Sequence, residues 1–174
     1  MRKRLLYEAL SYIFAFTSGL LVSYFVFHEF LFPFNKMVMI NHEINKPFIK
    51  PGLASFDIIL IKNSQFSIII FLLGFNEFIQ YVVMFIAGFV NGLLLSPLMP
   101  ICAVLGILPH GLLELAGYAL AGVGGYEYFS LHVISLKDSL IKYLLPSLVL
   151  LIVAAFIETF ITLKVVLIIP MCNA

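Results

Sequence analysis

The chain alternates long apolar runs with short polar breaks. Residues 5–32 are almost wholly apolar and end at Phe32-Pro33-Phe34. A polar stretch follows over 35–57, with Lys36, Asn41, His42, Glu43, Lys46 and Lys50. A second run covers 58–75 and carries Lys62, Asn63 and Ser64 near its start. Asn76-Glu77 separate it from a third run over 78–95, and Pro97 and Pro100 interrupt the chain before a fourth over 98–122. A fifth covers 141–169. A helix needs about 20 apolar residues to cross a bilayer core, so each run predicts a span. Lys62 reaches an interface along its own stem and does not exclude the second. A transmembrane barrel would show alternating segments of about ten residues instead. The expected fold is all-α, a polytopic transmembrane helical bundle of about five spans. It forms a single transmembrane domain over 1–174, with the polar loop 35–57 between spans one and two. Within that loop Met37-Val38-Met39-Ile40 reads as a short strand or an interfacial turn.

The fourth run is predicted to be interrupted at Pro109-His110-Gly111. Proline removes an amide donor and disfavours helix at Leu108, while Gly111 loosens the next turn. Two pieces follow, over about 98–107 and 110–122, with Gly122, Gly124 and Gly125 ending the second. The connection to Asp138 then holds Glu127 and His132 as solvated loop residues. Gly88 and Gly92 stand at GxxxG spacing in the third run, a spacing at which helix backbones approach closely. They, or a Gly117/Ala121 surface, are candidate homodimer contacts.

Composition agrees with the pattern: 63% of residues are hydrophobic and 11% charged, with a mean hydropathy of +1.12. This lies far outside the soluble range and predicts a multi-pass protein integral to the cell membrane, in contact with lipid. A net charge of +1 gives no basic face for nucleic acid. The first run is too long for a signal h-region of ~7–15 residues and reads as a retained span. Arg2, Lys3 and Arg4 favour a cytoplasmic N-terminus, although Lys36, Lys46 and Lys50 would then lie outside. Cys102 and Cys172 make no disulfide framework or CxxC site. His28-Glu29 fall at the end of the first span and read as interfacial.

The chemistry sits inside the apolar runs. An ionised side chain at a bilayer centre costs about 2.5–3.5 kcal/mol on insertion scales, so it is turned toward a partner or a wet cavity. His110 and Glu114 are one helical turn apart on one face. If spans four and five are antiparallel, Glu158 comes to the same depth. Asn91 near the centre of span three and Asn63 in span two are supporting polar residues. Three chemistries fit this group. His110, Glu114 and Glu158 suit a divalent metal, zinc above all, with an open water position, which points to an intramembrane zinc-dependent hydrolase. Two carboxylates and an imidazole also suit an ion- or proton-coupled transporter. Alternatively the acids are neutral or paired with His110 and Asn91 as polar glue between helices. No H-E-x-x-H, phosphate loop or G-x-S-x-G is present.

Leu108-Pro109-His110-Gly111-Leu112-Leu113-Glu114-Leu115 resembles the L-P-H-G-x-x-E-[LI] segment of the stage II sporulation protein M family of integral membrane proteins. Asn91-Gly92, the region of Asn63 and Ala154-Ala155-Phe156-Ile157-Glu158-Thr159-Phe160-Ile161-Thr162 resemble other parts of that family. The resemblance covers about residues 58–162. It implies a membrane location and a shared site at His110, Glu114 and Glu158, but supplies no reaction. In spore-forming bacteria the family acts in an engulfment complex with wall-degrading partners, and many members occur where no spores form. The expectation that follows is an interaction or scaffold component of a membrane protein complex, with a buried His/Glu cluster that suits a divalent metal.

Overall fold

The computed structural model describes residues 2–39, 53–95 and 100–162. Among these there is no strand. Five helices are long and apolar enough to cross a membrane: α1 Arg2–Met39, α2 Leu53–Leu72, α3 Glu77–Leu95, α4 Pro100–Phe129 and α5 Leu136–Thr162. A short 3-10 turn, Leu73–Phe75, extends α2. The Asn76 side chain then accepts from the amide of Ile79 at 3.2 Å and starts α3. Ser135 does the same for α5, accepting from the amide of Asp138 at 3.1 Å.

Facing residues give the direction of each helix. Gly88 lies against Phe16 and Gly92 against Leu20, so α1 and α3 run parallel. Asn63 meets Glu114, and Phe71 meets Gly125, so α2 and α4 run parallel. Gly117 lies on Leu151 and Gly124 on Tyr143, so α4 and α5 are antiparallel. Tyr12 packs on Gly122 while Phe16 lines a cavity with Leu115, so α1 opposes α4. These directions alternate along the chain, as five successive crossings require.

The expected break in the fourth span is absent. α4 runs unbroken through Pro109. Proline removes one donor, but in an apolar surrounding the remaining backbone groups have no water to turn to, so the helix holds. Gly122, Gly124 and Gly125 do not end it either. All three are buried, and a Cβ at Gly125 would overlap the carbonyl oxygen of Phe71. Glycine here serves approach between helices rather than termination. Glu127 consequently is no loop residue: it lies on α4 with 2% exposure, near Tyr143. His132 does stand exposed in the connection, at φ 51°. Met37, Val38 and Met39 belong to α1 rather than to a strand, and Ile40 and Cys172 lie outside the described residues, as does the side chain of Cys102. His28 and Glu29 sit on α1, their side chains likewise undescribed. Gly88, Gly92, Gly117 and Ala121 are all used within the chain, against Phe16, Leu20, Leu151 and the core. The candidate homodimer surfaces are therefore occupied by the protein's own helices.

Gln80 ties four spans together. It is fully buried, accepts from the Tyr12 hydroxyl at 2.6 Å, and donates to the carbonyls of Ile70 at 2.8 Å and Gly122 at 3.2 Å. Ser67 and Ser147 join α2 to α5 at 2.7 Å. Tyr12→Phe removes the donor to a buried amide oxygen and is expected to cost about 1–3 kcal/mol in thermal unfolding of the detergent-solubilised protein.

Candidate metal centre

α4 supplies two of the three candidate ligands. His110 and Glu114 share one face, about 15 and 21 Å along the helix from Pro100 at 1.5 Å per residue. The same face continues to Tyr118, buried and edge-on to Phe66 at 4.8 Å. α5 supplies the third ligand at a local distortion. Its last described turn, Glu158–Thr162, is a π-helix, a widened form found often at functional sites. There is a second π turn at Leu140–Leu144. Pro146 cannot donate to the carbonyl four residues behind it, which gives this second turn its physical reason. The sequence offers no such reason at Glu158–Thr162.

That widened turn sets two side chains around one imidazole. Glu158 Oε2 is 3.9 Å from His110 Nε2, and Thr162 Oγ1 is 3.1 Å from His110 Nδ1. The Asn63 amide donates to Glu114 Oε1 from α2. His110 is buried, and Glu114 and Glu158 are half-buried. One ligand atom from each of His110, Glu114 and Glu158 lies within 4.8 Å of the others. Zinc bonds of about 2.0–2.1 Å put tetrahedral ligand atoms roughly 3.3 Å apart, so an ion would shorten the widest separation among the three by at most about 1.5 Å. Side-chain rotation alone covers that distance. Thr162 bonds the imidazole nitrogen that faces away from Glu158, which is how an outer partner fixes a ligating histidine. Among the described residues no lysine or arginine pairs with Glu114 or Glu158.

Four of the five residues singled out in the sequence meet here: His110, Glu114, Glu158 and Asn63. Asn91 does not join them. Its amide donates to the Ala87 carbonyl of its own helix at 2.8 Å, and it lines a cavity beside the centre instead. A single apolar run cannot reveal which way an asparagine turns. Thr162 and Tyr118 went unread as site residues, although each stands one turn from a carboxylate and i,i+4 spacing was the signal available. Glu127 is a further buried acid at the other end of α4, separate from this group.

The family model of Stage II sporulation protein M matches residues 12–163. The chain belongs to this family. His110, Glu114, Glu158, Asn63 and Thr162 all fall within the stretch matched to the stage II sporulation protein M family. With five apolar helices of spanning length, this family member is a multi-pass membrane protein. No curated protein and no solved structure matches the chain.

Proposed function

We propose that this chain is an interaction component of a membrane complex whose His110/Glu114/Glu158 centre holds a divalent cation. The observation that carries the reading is the convergence of one imidazole and two carboxylates from two antiparallel spans to within 4.8 Å. Two acids this close, without a lysine or arginine beside them among the described residues, need protons or a cation to offset their charge. A divalent ion balances both at once. One nitrogen and two oxygens suit zinc, and three protein ligands leave a position for water. Arg2, Lys3 and Arg4 favour a cytoplasmic N-terminus for the chain.

The open ligand position and the cavity beside His110 and Glu114 favour a second reading, an intramembrane zinc-dependent hydrolase, in which the metal would activate its water. Both readings meet the same first test. Elemental analysis of detergent-purified protein is expected to give one zinc per chain, lost in His110→Ala and Glu114→Gln. Thr162→Val is expected to retain the metal with roughly 10–100-fold weaker affinity, the usual loss for an outer partner. Metal-free protein from zinc-replete cells, with variants differing only in thermal stability, would leave the polar-glue role instead. Proton or ion flux into liposomes, abolished by Glu158→Gln, would point to transport.

A further inference from the structure

Beside the centre, α1, α3 and α4 border a half-open cavity of about 330 Å³. Phe16, Leu20, Tyr24 and Phe25 form its α1 wall, and Leu108 and Leu112 much of its α4 wall. The same α4 wall contains His110 and Glu114, and Asn91 stands on the α3 side. A larger depression of about 620 Å³ lies between Tyr7, Phe14, Tyr81 and Phe85, but it is a shallow outer trough without any of the three ligands. Of these two, the smaller joins apolar walls to convergent polar groups, which is the form of a ligand site.

We infer that this cavity binds one hydrocarbon chain of an acyl lipid, with the acyl carbonyl at the polar end formed by His110, Glu114 and Asn91. Lining decides the class of occupant. Its walls on α1 and α4 are apolar and its polar groups lie toward one end, the arrangement that one hydrocarbon chain with a single polar terminus fills. Polarity decides the orientation. The walls offer hydrocarbon only packing, which surrounding lipid also offers, so binding over bulk lipid has to come from the polar end. The Asn91 amide nitrogen already donates within its own helix, and its second hydrogen is available to a carbonyl oxygen. The open position of the metal centre would take the same oxygen. The orientation rests on the metal reading above, whereas occupation by the chain does not.

The test uses the full chain in detergent, with palmitate carrying a mid-chain diazirine in one arm and phosphatidylcholine carrying the same acyl chain in the other. After irradiation, mass spectrometry maps the labelled peptides. Label is expected on the cavity-facing parts of α1 and α4, displaced by unlabelled palmitate. Leu112→Trp and Val104→Phe change exposed lining positions. Each is expected to reduce that label about tenfold by filling the space, with bound zinc retained. Two such variants guard against either one misfolding. Labelling by the fatty acid alone identifies a free carboxylate ligand, and labelling by the phospholipid identifies a bilayer lipid. Label spread over the outward faces of all five helices, unchanged in both variants, overturns the inference. Cavity label that persists in zinc-free protein and in His110→Ala keeps the chain site and removes the metal from its orientation.

Discussion

Gly125→Val is expected to lower the stability of the bundle by about 3 kcal/mol, measured by thermal unfolding in mild detergent. Valine differs from glycine in intrinsic helix propensity by only a few tenths of a kcal/mol, so propensity does not decide the result. Contact does. A Cβ at Gly125 falls on the carbonyl group of Phe71, and one at Gly74 falls on the backbone of Gly125 itself. Backbone cannot swing aside as the end of a side chain can, so α2 and α4 must part. Their separation also draws Asn63 away from Glu114, since each sits on one of the two helices. Bound zinc is therefore expected to fall together with stability. Leu94→Ala, at a position 72% exposed, is the control and should stay within about 0.5 kcal/mol of the parent. A Gly125→Val protein that melts with the parent would show that the two helices are not in backbone contact.

Zinc at a free concentration a thousandfold above its dissociation constant is expected to stabilise the folded protein by about 4 kcal/mol. In Glu158→Gln that gain should disappear, because one of the three ligands has lost its charge. The zinc-free proteins separate the readings further. If the acids serve a metal, they repel one another without it, and Glu158→Gln should be as stable as the parent or more so. If Glu158 instead acts as polar glue with His110, its replacement should cost about 1–2 kcal/mol whether or not zinc is present. Unfolding with and without a chelator in the parent and Glu158→Gln gives all four values.

Much of the centre was legible before any fold was known because hydrocarbon makes polar residues conspicuous. His110, Glu114 and Glu158 stand out in apolar runs where a charge costs several kcal/mol, and the four-residue spacing of the first two already places them on one face. Asn63 and Asn91 looked alike by the same reasoning, yet one bonds Glu114 and the other bonds its own helix. Their roles depend on rotation of a helix about its axis, which an apolar run without a strong polar face does not encode. Pro109 misled for a related reason. Its rule is learned where water can take up freed backbone groups, and inside a bundle no water competes.

The sequence by itself therefore determined five crossings, their order and the three costly side chains, since each follows from the free energy of placing residues in hydrocarbon. Tertiary structure decided that α4 continues through Pro109, that the glycines of α3 and α4 serve the chain's own packing, and that a π turn brings Glu158 and Thr162 to opposite sides of one imidazole. These outcomes depend on which helix lies beside which and at what distance. Close packing sets that through contacts between residues far apart in the chain, where no local pattern records it.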